Sequence, residues 1–315
     1  MKKKIIFIFI IASVVFPIKS QLIKWNPEDI MLLTKDWKGE RMPDGRPKVS
    51  DAHLERLKKV SIEEVYDYLK GKGYECQFEN FSSLYENSWV ILHPDQPMIG
   101  RAVTAQFMPM RFDYDDYLQE VGKKQNIPRV NNNLPISALS EGDVYVADAY
   151  GKITDGTLAG DALGATIYRN SKRGVVFNGS VRKLDGLLEI EGFNAWIRGF
   201  DPSSISHMVC STVNAPIRIG RATVLPGDVV YAKLSGVIFI PPHLVIDVIL
   251  SSEVTALRND FNLQRREGKI DNNTGFRDWL EKQTNLPAPI AEIDEYLIRQ
   301  ESQQLNPQSN RSQRQ

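Results

Sequence analysis

The stretch GDALGATIYRNSKRGVVFNGSVRK, residues 160–183, decides the fold of this 315-residue chain. Its first half predicts a helix from Asp161 to about Lys172, and Val175 to Phe177 then predict a buried strand. Another apolar run, Val144 to Ala147, precedes the helix across a Gly-rich loop from Tyr150 to Gly160. Because strands joined by a helical crossover lie parallel in one sheet, the sequence predicts an α/β fold.

Short apolar runs follow one another closely after this unit and predict hairpins in a curled or barrel-like mixed sheet. They are Val213 to Ile219, Ala222 to Val224, Val229 to Ala232 and Val237 to Ile240. The opening Glu141-Gly142-Asp143 before one strand recurs as Pro226-Gly227-Asp228 before another. This recurrence predicts one turn-and-strand arrangement used twice.

The N-terminus has the pattern of a secretory signal. Lys2 to Lys4 precede an apolar run from Ile5 to Pro17, and we expect cleavage after Ser20. The run is shorter than the roughly 20 apolar residues that span a bilayer, so an uncleaved membrane anchor is the less favoured alternative. The sequence therefore predicts export to the periplasm or the extracellular space.

Composition divides the remaining chain into four segments. They are an irregular arm at 21–50, an α/β domain at 51–258 with its core at 98–245, a helical extension at 259–300 and a disordered tail at 301–315. The domain begins with two helices, from Asp51 to Lys59 and from Ser61, where Glu64 completes a capping box. A later helix is predicted from His243 to Arg258.

Charge and cysteine content exclude some classes of function. The chain has 39 basic and 39 acidic residues, so no net field attracts nucleic acid, and a membrane is contacted only through an uncleaved signal. Cys76 and Cys210 have no Cys or His at metal spacing, which argues against zinc. We expect two separate buried thiols, with their pairing left open. The histidines, His53, His93, His207 and His243, are expected to be structural or surface residues.

Candidate site residues lie at the two ends of the quoted stretch. Twenty residues separate Asp161 from Arg182, and because they hold one helix and one strand, both ends meet at the rim where α/β sheets bind ligands. The helix start offers backbone N–H groups, Gly160 and Gly164 allow close approach, and Arg182 suits a carboxylate. The three N–H groups belong to Ala162, Leu163 and Gly164. A small carboxylic or keto acid fits these donors, whereas the alternative makes Asp161 a helix cap and Arg182 a surface residue.

The motif resembles that of a known family. Asp161 and Arg182 at this spacing, with Asn178-Gly179-Ser180-Val181 before the arginine, resemble the family of the regulator of ribonuclease E activity A and the 4-hydroxy-4-methyl-2-oxoglutarate aldolases. Three further stretches agree with that family over about residues 98–245. They are Gly142 to Asp148, Arg173 to Val176 and Pro226 to Val230.

The resemblance implies a swivelling α/β/α layered domain that assembles as trimers or hexamers, with sites at subunit boundaries. It implies an aldolase or oxaloacetate decarboxylase that uses a divalent metal, commonly magnesium. Asp161 matches the residue that holds metal-bound water, Arg182 matches the substrate-binding arginine, and Ala162 to Gly164 match the carboxylate cradle. The expected partner is therefore a small 2-oxo acid.

The chain departs from the aldolase motif at Lys183, where a metal-binding aspartate is expected. An ammonium cannot ligate magnesium, although Asp185 lies two residues further on and could supply a ligand. Two outcomes stay open. The chain could be a lyase in which Asp161, Arg182 and Lys183 are catalytic and the Lys183 ammonium partly replaces the metal. Alternatively, it could be a non-catalytic binding or interaction protein that has lost the metal site. Export argues against the regulator's cytoplasmic target, and no glycine-rich nucleotide loop supports a third possibility, a menaquinone-precursor methyltransferase.

Overall fold

The computed structural model describes residues 23–81 and 88–305. The predicted signal at 1–20 and residues 306–315 of the predicted tail lie outside them. The helices are α1 Pro27–Leu33, α2 Asp51–Leu57, α3 Ile62–Gly71, α4 Phe112–Lys124, α5 Asn133–Ser137, α6 Asp161–Ser171, α7 Leu184–Leu188, α8 Val245–Arg266, α9 Phe276–Leu280 and α10 Ile290–Leu305. The strands are β1 Phe78–Glu79, β2 Val90–Ile91, β3 Met98–Pro109, β4 Asp143–Lys152, β5 Val175–Val181, β6 Ala195–Ile197, β7 Gly199–Phe200, β8 Met208–Val213, β9 Ile217–Ile219, β10 Ala222–Val224, β11 Val229–Lys233 and β12 Gly236–Ile240.

Ten strands form one mixed sheet in the order β1-β12-β11-β3-β4-β5-β6-β2, with β7 beside β5 and β8 beside β3. Strands β3 to β6 are parallel neighbours, as the crossover predicted, and the remaining pairs of the ordered path are antiparallel. The α/β fold is confirmed. The mixed sheet is confirmed as well, and it is not closed into a barrel, because β1 and β2 stay as two separate edges.

The predicted hairpins are present as the antiparallel pairs β9–β10 and β11–β12. The predicted strand from Val213 to Ile219 is interrupted, however. Asn214 adopts a left-handed conformation with φ of 56°, and its N–H donates to the carbonyl of Thr104 at 2.8 Å. This turn ends β8 at Val213, so β9 begins only at Ile217.

The repeated turn before β4 and β11 is confirmed in detail. Gly142 and Gly227 have φ of +84° and +88°, a region that glycine tolerates. Each following aspartate caps its own turn: the Oδ2 atoms of Asp143 and Asp228 accept backbone N–H groups from three residues earlier, both at 2.8 Å. The two turns are therefore built in the same way.

Strand β4 lies in the core, with apolar residues on both faces. Tyr145 and Ala147 pack in the cluster that includes residues of α4 and α6, whereas Val144 and Val146 pack with the β9–β10 hairpin. A strand buried on both faces reads as a continuous apolar run, which explains why the sequence identified it. Helices α2, α3 and α8 pack with β11 and β12 in a further cluster.

The arm and the C-terminal segment up to Leu305 contain more regular secondary structure than the sequence predicted. The arm contains α1 and is held to the domain by Arg46, a buried residue that pairs with Asp143. Helix α8 continues to Arg266 rather than ending at Arg258, because Phe261 packs with Trp279 of α9. Helix α10 runs to Leu305, past the predicted start of the tail at residue 301.

Local predictions at the N-terminal helices and the cysteines have mixed outcomes. The capping box is confirmed, since Ser61 and Glu64 bind each other's backbone N–H groups at 3.1 and 2.9 Å. Both thiols are free, but Cys76 is exposed, so only Cys210 matches the expected buried thiol. Within residues 23–81 and 88–305, every helix falls short of the length and apolar character of a membrane span.

Candidate functional site

The start of α6 and the end of β5 are brought together by the loop between β4 and α6. The Leu158 N–H donates to the Ser180 carbonyl and the Arg182 N–H donates to the Ala159 carbonyl, both at 2.9 Å. Ala159 also forms a parallel bridge with Val181. The loop thus runs beside the end of β5, which confirms the predicted meeting of the two ends of the stretch.

Arg182 lies over Gly160, the residue that precedes α6. A Cβ atom at Gly160 would stand 3.0 Å from the Arg182 Cγ and 3.3 Å from its Nε, so the absence of a side chain there gives the arginine room. The guanidinium of this half-buried arginine makes no hydrogen bond or ion pair within the described part of the chain. Its fork of donors is therefore available to an anion.

Asp161 and Lys183 form an ion pair at the same place. The Lys183 Nζ lies 3.0 Å from Oδ1 and 3.2 Å from Oδ2 of Asp161. The hydrogen bond from Lys183, followed by that from the Ala162 N–H, holds the pKa of the Asp161 carboxyl below its ordinary value. The charge of Arg182 acts in the same direction, so the carboxylate is ionised.

The pair is open to solvent and is held by an unusual backbone. The side chains of Lys183 and Asp161 are 54% and 38% exposed. Lys183 has φ of 53° and ψ of 53°, a left-handed conformation that is costly for a lysine. Such strain is often found at functional sites, and here it accompanies the turn of the chain from β5 into α7.

The predicted carboxylate cradle is only partly present. The Ala162 N–H donates to Asp161 at 2.8 Å, and the Gly164 N–H donates to the Gly160 carbonyl at 2.7 Å, so neither is free. Gly164 has a packing neighbour, because a Cβ there would stand 2.3 Å from the Leu187 Cδ2, and its role in the approach of a ligand stays a prediction. Gly164 therefore serves the packing of α7 on α6. The N–H of Leu163 is the predicted donor that keeps no acceptor among the described residues.

The residues of this chain do not fit a directly bound magnesium ion. Asp161 already binds an ammonium, and Asp185 is an exposed residue in the first turn of α7. Within 23–81 and 88–305, no three His, Cys, Asp or Glu side chains converge as metal ligands. A role for Asp185 as a metal ligand therefore stays a prediction.

Sequence reasoning missed a polar cluster around Asp148, a buried residue of β4. Its Oδ1 accepts from the Asn178 side chain at 2.8 Å and from the Tyr150 N–H at 2.9 Å, while its Oδ2 accepts from Gln106 at 3.2 Å. The cluster ties β3, β4 and β5 together where the loop toward Gly160 begins. An aspartate that ends an apolar run before a Gly-rich loop was the signal in the sequence.

Comparison with known proteins supplies the family. A sequence model of the RraA-like family, described as Aldolase/RraA, matches residues 47–239. The chain belongs to the RraA-like family. Protein DlpA of Legionella pneumophila is 25% identical to this RraA-like chain over 197 residues, which are 62% of the chain and 28% of DlpA. The chain thus spans just over a quarter of the length of that relative.

Solved structures of low sequence identity share the fold of the RraA-like chain. Streptomyces coelicolor RraAS2, described as an unusual member of the RNase ES inhibitor RraA protein family, is 23% identical with a TM-score of 0.56, and the match covers 69% of this chain and 100% of that one. A protein of Pseudomonas syringae pv. tomato is 18% identical with a TM-score of 0.52, over 73% and 97% of the two chains. The RraA-like family includes metal-dependent aldolases and non-catalytic regulators, and its members are commonly oligomeric.

Proposed function

We propose that this chain is a lyase that acts on a small 2-oxo acid and uses its own Lys183 ammonium where related aldolases use a metal ion. Oxaloacetate decarboxylation and the aldol cleavage of substrates like 4-hydroxy-4-methyl-2-oxoglutarate are the candidate reactions. The observation that carries the proposal is the contact between Lys183 and Asp161 at 3.0 Å, beside the unpaired guanidinium of Arg182. Two positive groups therefore flank the open start of α6.

Binding follows from the donors that remain free. Arg182 offers two parallel N–H groups to a substrate carboxylate, and the Leu163 N–H at the positive end of α6 adds a third donor. Asp161 is a positioning residue in this scheme, because it holds the ammonium and does not contact the substrate. Its ionised carboxylate fixes the direction of the Lys183 side chain.

Catalysis follows from the charge that develops during cleavage. In oxaloacetate the bond between C3 and C4 breaks, carbon dioxide leaves, and the electron pair forms the enolate of pyruvate. The Lys183 ammonium and the Arg182 guanidinium stabilise the enolate oxygen, which carries more negative charge in the transition state than in the substrate. Water then protonates C3, which gives pyruvate and completes the proton balance.

We also propose that a second copy of the chain covers this open site, in a trimer or hexamer. Phe200 of β7 pairs with Val181 in the sheet and is 58% exposed, and Leu188 of α7 is 39% exposed. Exposed apolar side chains beside a polar site favour a protein contact there. The proposal places the enzyme outside the cytoplasm, in agreement with the signal predicted from the sequence.

The test is oxaloacetate decarboxylation by the full chain, measured as pyruvate formed above the buffer blank, with and without a chelator. We expect turnover that survives the chelator and that Lys183→Asn lowers by at least about tenfold, as expected for the loss of a transition-state charge contact. Asparagine is a matched substitution because it tolerates the left-handed backbone at this position. Turnover that the chelator abolishes in the wild-type chain would refute a metal-free mechanism.

A second candidate is a non-catalytic member of the family that binds a small carboxylate. The same Lys183–Asp161 contact favours this candidate, because the Lys183 ammonium occupies the carboxylate that would otherwise be available to the metal ion of related aldolases. Calorimetry with oxalate, a stable 2-oxo acid analogue, distinguishes the two. Binding that depends on Arg182, without any turnover of oxaloacetate or 4-hydroxy-4-methyl-2-oxoglutarate, would support this candidate over the lyase.

A further inference from the structure

The two matching turns differ in what meets their aspartates. Asp143 is bound by a guanidinium, because Arg46 donates to its Oδ1 and Oδ2 at 3.0 and 2.9 Å. Asp228 accepts only the Leu225 N–H, at 2.8 Å on Oδ2. Its Oδ1 has no hydrogen-bond partner in the described part of the chain, although the residue is only 2% exposed.

The unpaired carboxyl of Asp228 lines a cavity of about 260 Å³. The arm, the segment before β1 and the turn after β12 form its walls. The residues that line it include Asp36, Trp37, Tyr74, Asp228 and His243. None of them belongs to the site at Asp161 and Arg182, so the cavity is a separate feature of the fold.

The chemistry of the walls favours a positively charged guest. Two carboxyl groups line the cavity, that of the exposed Asp36 and that of the buried Asp228. None of the residues that line the cavity is lysine or arginine. Trp37 and Tyr74 provide aromatic rings, which attract cations and also pack on alkyl groups.

The titratable groups around Asp228 are all affected by burial. Burial raises the pKa of Asp228 to about 8, and the hydrogen bond from Leu225 offsets this only in part. Burial also lowers the pKa of His243, whose ring contacts the Tyr74 hydroxyl at 3.3 Å, so this histidine is neutral at pH 7. Burial raises the pKa of Tyr74 as well, with Asp36 and Asp228 adding to the shift.

We propose that this cavity binds a small organic cation with a guanidinium or primary ammonium head and a short alkyl chain. The head pairs with Asp228 as Arg46 pairs with Asp143, and the chain lies against Trp37 and the apolar wall. Binding displaces the proton of Asp228 into the buffer, so the complex contains a carboxylate and a cation. The volume limits the guest to a small molecule.

Calorimetry of the full chain with n-propylguanidine tests the proposal, and N-propylurea is the neutral probe of the same shape. We expect propylguanidine to bind at least tenfold more tightly than the urea. Its affinity should rise about tenfold from pH 6 to pH 7 and by a smaller factor, about fivefold, from pH 7 to pH 8, because binding requires the ionised carboxyl of Asp228. One proton should be released for each cation bound at pH 7, measured in buffers of different ionisation enthalpy.

Two variants locate the binding. Asp228→Asn keeps an acceptor for the Leu225 N–H and should lower the affinity at least tenfold, whereas Asp185→Asn, at the other site, should leave it unchanged. Equal binding of the guanidine and the urea, or affinity independent of pH, would refute the proposal even if Asp228→Asn does not fold. A different result would show that the cation at Asp228 is a side chain of another protein molecule. In that case the wild-type chain would bind no propylguanidine, Asp228→Asn would change the oligomeric state, and the proposal of a free ligand would be wrong.

Discussion

Replacing Arg46 by methionine removes the ion pair that holds the arm to β4. Arg46 is 1% exposed and its partner Asp143 is fully buried. The guanidinium also donates to Asp44 at 2.7 Å and to the Ala102 carbonyl at 3.3 Å. Without it, the Asp143 carboxylate stays buried and keeps the hydrogen bond from the Ser140 N–H at 2.8 Å and the more distant charge of Arg101, whose Nε lies 4.0 Å from Oδ1.

The magnitude follows from the burial of both partners. Removing one member of a buried, hydrogen-bonded pair costs about 3–5 kcal/mol, because the other charge loses its hydrogen-bonded partner, and the remaining Arg101 at 4.0 Å favours the lower part of this range. For a chain of this size that corresponds to a fall in melting temperature of roughly 6–10 °C. Removing both charges, with Arg46→Met and Asp143→Asn together, should cost at least about 2 kcal/mol less than the sum of the two single changes.

The assay is urea unfolding at pH 7, followed by tryptophan fluorescence and checked for reversibility. Lys48→Met is the control, because its ion pair with Glu40 lies in the same arm but its side chains are 40% and 70% exposed. That change should cost less than about 1 kcal/mol. The reasoning is refuted if Arg46→Met costs no more than Lys48→Met, or if the double change equals the sum of the singles.

Three further outcomes are expected. Gly164→Ala should lower the free energy of unfolding by about 1–3 kcal/mol, because the new Cβ would lie 2.3 Å from the buried side chain of Leu187. Gly71→Ala is the control and should not destabilise the fold, because a Cβ at Gly71 would have no neighbour within 4 Å. The pKa of Asp228 is about 8 in the folded chain against an ordinary 3.8, so between pH 3.8 and 8 the folded state binds this proton more tightly than the unfolded state does. The free energy of unfolding should therefore fall as the pH rises through that range. Asp228→Asn should reduce this dependence of the free energy of unfolding on pH, measured by unfolding curves at several pH values. Magnesium should raise the melting temperature of Lys183→Asp and leave Lys183→Asn unchanged.

The sequence could predict those parts of the site that depend on local geometry. One helix and one strand between Asp161 and Arg182 return the chain to the same rim of a parallel sheet, so the spacing alone predicts their meeting. The left-handed backbone of Lys183 and the packing of Leu187 against Gly164 depend on how α7 folds back on α6, which no local pattern records. The two amide donors that proved to be used are bound locally instead, the Ala162 N–H by the Asp161 carboxylate and the Gly164 N–H by the Gly160 carbonyl.

Arg46 shows a second limit, which also bears on the cavity. Its partner Asp143 lies 97 residues away, and nothing in the composition of the arm distinguishes this arginine from an exposed one. The repeated Gly-Asp turn was visible in the sequence, yet only the structure shows that the arm supplies a cation to one copy and a cavity wall to the other. The two turns share their backbone geometry but differ in the charges near them. The arm carries Arg46 and β3 carries Arg101 toward Asp143, whereas the arm brings Trp37 and the acidic Asp36 to the cavity of Asp228. Binding of a guanidinium there would reproduce, with a free molecule, the contact that the chain already makes at the first turn.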